Sequence, residues 1–223
     1  LNACSSKIVY SGPDRGRQAV WEPFWCSRQC AESILLYPEN TEHLQEIVRN
    51  SRHVRAVGGG HSATELQCTR GTLVAVQDNF CKTFHLNEST NLATFGAGCS
   101  VDDAMRRLLA YKRQLYGFGG ITEQRLGGAM STSLHGQHTM SFAKYVVGLT
   151  AVLANASVIR VDDPTELLAW KGSMGRLGVV VEVTLQVHPL QYVTCDTATG
   201  THVELLRALN DSAIVGFEAK RLL

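Results

Sequence analysis

The chain has 223 residues, 44% of them hydrophobic and 18% charged, and its 21 basic and 20 acidic side chains leave a formal net charge of +1. This is the composition of a globular chain with a sizeable core, and the charge balance removes any electrostatic case for nucleic acid or an acidic membrane surface as partner. No apolar run approaches the roughly 18 residues of a spanning helix, so no transmembrane segment is expected.

Residues 1–30 are polar and irregular and are expected to form an N-terminal arm, with Trp21, Pro23 and Trp25 packed on the body. The first residues lack the charged-then-apolar layout of a signal peptide, as in a chain numbered after a leader has been removed. Ile34-Leu35-Leu36-Tyr37 predicts a short strand stopped by Pro38. Thr41 is expected to cap a helix whose Leu44, Ile47 and Val48 follow i, i+3, i+4 spacing. A strand at 54–57 runs into Gly58-Gly59-Gly60-His61-Ser62, and further strands are expected at 72–76 and 91–95. Ser100 and Asp103 spell a capping box, with Val101, Met105, Leu108 and Leu109 as the buried stripe of the helix they open. A second glycine-rich segment occupies 117–136. Two β-rich runs, 146–153 and 157–161, meet at Ala154-Asn155-Ala156. Asp163 caps a helix with Pro164 at its first position, and Gly172, Gly175 and Gly178 punctuate the loop before an apolar strand at 179–187. The tail from 192 predicts a strand, a helix at 202–209 and a strand at 213–219.

Seven cysteines (Cys4, Cys26, Cys30, Cys68, Cys81, Cys99 and Cys195) leave one thiol over, unpaired or paired between chains. Cys26-x-x-x-Cys30 has neither a second close pair nor histidines at zinc spacing, so no metal site is expected. Sequons at Asn87, Asn155 and Asn210 add to the cysteines in favouring an oxidising, secretory compartment (extracellular or the ER lumen), with a mitochondrial location as the alternative.

The chemistry concentrates at 58–62. Consecutive glycines let several backbone N–H groups converge on one anion, and a phosphate is the usual guest. Gly58-x-Gly60-x-x-Ala63, with Asp78 twenty residues after Gly58, formally fits a dinucleotide fingerprint. That fit fails on length. A βαβ crossover needs a helix, and 64–71 is too short and carries no helical stripe. In isolation the loop competes with a plain tight turn in which His61 is an ordinary surface histidine.

Two further segments change that balance. One is Gly117-Phe118-Gly119-Gly120-Ile121-Thr122-Glu123-Gln124-Arg125-Leu126-Gly127-Gly128-Ala129-Met130-Ser131-Thr132-Ser133-Leu134-His135-Gly136; the other is Gly172-Ser173-Met174-Gly175-Arg176-Leu177-Gly178-Val179-Val180-Val181-Glu182-Val183-Thr184. In this order and spacing the three segments resemble the FAD-binding domain of the vanillyl-alcohol-oxidase flavoprotein superfamily, nearest to its aldonolactone and alditol oxidases. The resemblance implies an α+β fold: a two-lobed PCMH-type FAD-binding domain over 31–188, then the first elements of an incomplete cap (substrate) domain at 189–223.

It further implies that Val57, Gly58, Gly59, Gly60, His61 and Ser62 hold the FAD pyrophosphate, with His61 as the covalent FAD link. Gly119, Gly120, Ile121, Thr122, Gly127, Gly128, Ser131, Thr132, His135 and Gly136 would contact pyrophosphate and isoalloxazine. Val179 and Val180 would meet the adenine. Ala63, Ser133 and Leu134 depart from the family pattern. His135 and His138 lack a third metal ligand and are read as flavin-side residues. Gly119 stands where a larger residue in some relatives blocks oxygen.

The implied activity is that of an FAD-linked oxidoreductase acting on CH–OH, oxidising a sugar lactone or polyol hydroxyl with O2 to give H2O2. Its catalytic residues belong to the cap, of which only about 35 residues follow Pro189, and the His-Trp motif of the sugar-lactone branch is absent. A second chain or fragment completing the cap and a small polar substrate are the expected partners. The alternatives are a degenerate FAD-binding-fold module with a structural or interaction role, or the same loop holding another anionic ligand.

Overall fold

The computed structural model describes residues 9–11, 18–20, 30, 33–136, 140–192 and 199–210. The expectations placed on the N-terminal arm with Trp21, Pro23 and Trp25, on Cys4, Cys26, Cys195 and His138, and on the strand at 213–219 lie outside the described residues.

Strands β1 (Val9–Ser11) and β2 (Gln18–Val20) pair antiparallel ahead of the first lobe. That lobe is a three-stranded parallel sheet of β3 (Ile34–Leu36), β4 (Val54–Val57) and β5 (Thr72–Ala75), in the order β3-β5-β4. Helix α1 (Thr41–Arg49) joins β3 to β4. Its cap is Asn40 rather than Thr41: Asn40 is extended and its side-chain oxygen accepts from the His43 amide at 2.8 Å, which leaves Thr41 inside the first turn. Leu44, Ile47 and Val48 are buried as their spacing predicts. Central β5 is covered on both faces. Leu73 and Ala75 pack with Cys30, Leu35 and Val57, while Val74 and Val76 join the main core with α1. Buried on both sides, a parallel strand reads as a continuous apolar run, as Leu73-Val74-Ala75-Val76 does.

The second lobe is an antiparallel sheet in the order β10-β9-β11-β7-β6, made of β6 (Phe84–Asn87), β7 (Leu92–Gly96), β9 (Val146–Val152), β10 (Val158–Val161) and β11 (Val179–Gln186). The apolar run expected at 179–187 is the central strand β11. Its one acid, Glu182, accepts hydrogen bonds from the hydroxyls of Thr83 and Thr150 at 3.2 and 3.0 Å. β6 was not among the expected strands. Only two apolar residues alternate in it, and its turn is made by the Asn87 side chain, which accepts from the Ser89 and Thr90 amides.

Helix α2 (Val101–Leu109) begins with the capping box the sequence spells, Ser100 and Asp103 each bonding the other's backbone. Its buried stripe is Val101, Ala104 and Leu108. Leu109 is 57% exposed, because the i, i+3, i+7 face passes through the small Ala104 instead. Short strand β8 (Arg113–Gln114) pairs with β12 (His188–Pro189), while α3 (Leu126–Ser131) and α4 (Pro164–Trp170) cover the sheet. Asp163 caps α4 by accepting from the Thr165 and Glu166 amides. Helix α5 (His202–Asn210) is described in the tail.

Disulfides join Cys30 to Cys68 and Cys81 to Cys99. Among the described residues no helix is long and apolar enough to cross a membrane, and no three His, Cys, Asp or Glu side chains gather as a metal site.

Candidate cofactor cavity

Strands β4 and β5 are parallel neighbours, yet the connection 58–71 between them contains no helix. A bare loop therefore turns the chain at the end of β4, and beside it opens a cavity of about 560 Å3. Parts of all three glycine-rich segments meet there, from β4 and its loop, from α3, and from the loop before β11.

Several features make the cavity suited to a large anion. Among the described residues no carbonyl or side chain accepts from the amides of Gly59, Gly60 and Ser62. Gly60 has φ +72°, a left-handed conformation that glycine adopts without strain. Arg55 and Arg125 line the wall, and no carboxylate does among the described residues. Leu66, Val76, Ala97 and Val180 supply apolar surface, and the buried Gln67 Oε1, Gln124 Oε1 and Arg125 Nε find no partner among the described residues. Buried polar atoms are rarely left so.

The loop is propped from below. Gln77 Nε2 donates to the Gly58 carbonyl at 2.8 Å. Arg125 Nη1 donates to Asp78 Oδ1 and to the Gly98 carbonyl, both at 2.8 Å, and its Cβ lies 3.1 Å from where a Cβ on Gly58 would stand. Asp78 is thus occupied by Arg125. The Cys81–Cys99 disulfide fixes the turn carrying Gln77 and Asp78 to the chain just after Gly98. On the far side, the amides of Gly172 and Met174 donate to the carbonyls of Met130 and Ser131, which ties the third segment to α3.

His61 is half-buried at the cavity wall. Burial lowers its pKa; the nearby Glu123 carboxylate opposes that, and the Arg125 charge lowers it further. The net direction favours the neutral imidazole.

Of the residues singled out from the sequence, Val57, Gly58, Gly59, Gly60, His61, Ser62, Gly127, Gly128, Ser131, Thr132 and Val180 line this cavity. Gly119, Gly120, Ile121, Thr122, His135 and Gly136 do not, and Val179 lines a separate small cleft. Gly119 instead lies against the His135 carbonyl, and the Thr122 and Gln124 carbonyls accept from the amides of Asp102 and Val101, strapping that stretch to α2. Gly127 and Gly128 differ in role. The Gly127 amide is taken by the Ala97 carbonyl and a Cβ there would meet Ala97 Cβ at 3.0 Å, whereas a Cβ on Gly128 would meet nothing within 4 Å.

Sequence reasoning did not single out Arg55, Gln67, Gln124, Arg125 or Met174 as site residues. Gln124 and Arg125 sit inside the second segment and Arg55 three residues before the glycines, but nothing local says which way their side chains turn.

Comparison with known proteins gives the family and the fold. Residues 33–162 match the family model described as FAD binding domain. L-gulono-1,4-lactone dehydrogenase of Mycobacterium tuberculosis is 28% identical over 177 residues, covering 77% of this chain and 41% of that protein. D-arabinono-1,4-lactone oxidase of Eremothecium gossypii is 30% identical over 180 residues, covering 74% and 34%. Among solved structures, Physcomitrella patens BBE-like 1 shares the fold with a TM-score of 0.62 at 19% identity, over 70% of this chain and 37% of that one. The chain thus spans less than half the length of these relatives.

Proposed function

The chain belongs to the FAD binding domain family, and from that membership we propose that it is the flavin-holding part of an oxidase acting on a sugar-lactone or polyol hydroxyl, with O2 as acceptor. The observation that carries this is the cavity where the three glycine segments meet, with two guanidiniums and, among the described residues, no carboxylate in its wall and no acceptor for the amides of Gly59, Gly60 and Ser62. FAD is the cofactor of this family, and the residues present fit it: an anionic pyrophosphate suits the amides of Gly59, Gly60 and Ser62, and an adenine suits the apolar wall at Val180. Bound flavin would supply the two-electron acceptor for oxidation of a substrate C–H.

The chain's own residues then have distinct tasks. His61, kept neutral, is the proposed covalent tether. Arg125 holds Gly58 and the turn at Asp78 in place beneath the loop. Gly119, outside the cavity lining, is kept small by packing, since a Cβ there would stand 3.1 Å from the His135 carbonyl. In this proposal 31–188 is the cofactor domain and 189–223 begins the cap, whose remainder carries the groups that orient the substrate and exclude water. The two disulfides support an oxidising compartment.

The test is the absorbance spectrum of the purified chain before and after acid precipitation. Flavin absorbance that stays with the precipitate, and is lost to the supernatant in His61→Ala, is the expected result. A colourless chain that takes up no added FAD overturns the proposal in favour of a structural module. Flavin that remains acid-stable in His61→Ala places the bond elsewhere. Peroxide release with a panel of aldonolactones and alditols, once the cap is supplied, tests the substrate class.

A further inference from the structure

Behind the loop that walls the cofactor cavity lies a second cleft of about 110 Å3, lined by Ser51, Arg52, Ala154, Arg176, Leu177 and Gly178 among others. Its frame is fixed. Gln45 Nε2 donates to the Ala156 carbonyl at 2.6 Å, holding α1 against the β9–β10 turn, and Ser51 Oγ is bonded to Thr72 Oγ1 at 2.9 Å. Two exposed arginines, Arg52 and Arg176, line this cleft, and a third, Arg55, lines the cofactor cavity. Arg52 and Arg176 flank the cleft, while Arg55 lies on the other side, donating to the carbonyls of Leu66 and Met174.

No carboxylate offsets them. Ion pairs among the described residues join Arg106 to Asp102, Arg125 to Asp78 and Arg160 to Asp162, and none reaches this cluster. Arg55 registers the surplus: burial lowers its pKa and the Arg176 charge lowers it further. The amides of Leu177 and Gly178 also donate to no acceptor among the described residues. The cleft is about a fifth the size of the cofactor cavity, which is room for one tetrahedral oxyanion and too little for a nucleotide.

We propose that the Arg52–Arg176 cleft binds a small phosphate-class oxyanion, at a site separate from the dinucleotide cavity, and that the bound anion steadies the 172–178 loop shared by both. Arginine recognises phosphate oxygens through paired N–H donors, and two arginines on one cleft, with no carboxylate in its lining among the described residues, suit such a guest. The proposal does not depend on the cofactor assignment. The anion comes either as free inorganic phosphate or as the phosphoryl group of a small metabolite.

Phosphorus NMR line broadening of inorganic phosphate, titrated against the full chain at fixed ionic strength in chloride, tests it directly. Saturable broadening that sulfate reverses and added chloride does not is the expected result, with Arg52→Gln and Arg176→Gln each weakening binding by roughly tenfold or more. Melting temperature and near-UV circular dichroism establish that the variants are folded, and Arg52→Lys, which keeps charge but loses the paired donors, should fall between. Glycerol phosphate in place of inorganic phosphate separates the two sources: equal or tighter binding indicates a phosphoester, and much weaker binding the free ion. Broadening that never saturates, that chloride reverses equally, or that persists unchanged in both folded Gln variants overturns the proposal. Repeating the titration on the unmodified chain with excess FAD fills the dinucleotide cavity, and phosphate broadening that FAD abolishes overturns the proposal even where a variant fails to fold.

Discussion

Replacing Gly128 by alanine should push stability and cofactor binding in opposite directions. Gly128 is the third residue of α3 and exposed, and a Cβ built on it meets no protein atom within 4 Å. Its φ is not positive, so alanine suits the helix and should stabilise the chain by about 0.5–1 kcal/mol through the lost backbone entropy of glycine. In a chain of this size that raises the melting temperature by roughly 1–4 °C. The empty space the methyl enters is the cofactor cavity, which Gly128 lines. A methyl forced against a bound dinucleotide costs on the order of 1–3 kcal/mol, the usual price of overpacking, or roughly a 5- to 150-fold loss of FAD affinity. Gly127→Ala supplies the contrast: its Cβ would sit 3.0 Å from Ala97 Cβ, so it should destabilise the chain with or without cofactor. Thermal melts and FAD titrations followed by flavin fluorescence, both on apo chain in the His61→Ala background where the flavin is dissociable, measure both quantities. Unchanged FAD affinity in Gly128→Ala, with the melt raised, would refute the placement of the cofactor against α3.

Two further outcomes follow from the same geometry. The Cys30–Cys68 disulfide closes 38 residues of sequence and anchors the helix-free loop at 58–71. In the chain-entropy view its removal costs about 4 kcal/mol; the paired Cys30→Ser, Cys68→Ser variant should melt well below the parent and bind FAD more weakly, and an unchanged melt would count against the bridge. For His61, whose folded pKa is lowered from 6.5 chiefly by burial, the sign is fixed by linkage. Above pH 6.5 both states are neutral, and as pH falls the unfolded state takes the proton first. Stability therefore declines from pH 6.5 downward until the folded value is passed. His61→Gln should flatten that part of the pH–stability curve, and superimposable curves from chemical denaturation would contradict it.

What the sequence made legible was what is decided within a few residues. The Ser100–Asp103 box, the Asp163-Pro164 start of α4 and the hairpin at 154–156 rest on side chains bonding their own neighbours' backbone, so spacing alone specifies them. Even there, Asn40 and Thr41 offer equivalent caps one residue apart, and only the observed extended backbone at Asn40 separates them. The Leu109 assignment failed because helical phase, not hydrophobicity, decides which side chain meets the sheet, and Ala104 took the place. At the site, 58–62 and Gly127-Gly128 were legible because glycine is demanded where a backbone must come close. Arg55 and Arg125 were not. Each reaches across to another segment, to Met174 in one case and Asp78 in the other, and long side chains at such points carry no local signature.

The NAD-like fingerprint at 58–63 shows why loop chemistry must be read with the connection it sits in. In a βαβ unit the helix N-terminus supplies the oriented amides and the dipole that hold a pyrophosphate. Here β4 and β5 are adjacent and parallel, as in such a unit, but the link between them has no helix, so its amides must be held in place by other means. Gln77 on the Gly58 carbonyl, Arg125 under Gly58, and the Cys81–Cys99 bridge behind the turn do that work from outside the loop. Asp78, the residue the fingerprint would place on a ribose, pairs with Arg125 and so belongs to the support. Its side chain is 86% exposed, so the ion pair itself contributes little to stability. What the pairing governs is the position of Arg125, since the guanidinium also depends on the Gly98 carbonyl for its orientation. A bare loop with such external bracing can accept a ligand along its length instead of only at a helix end, and that is what an extended dinucleotide lying between two lobes requires.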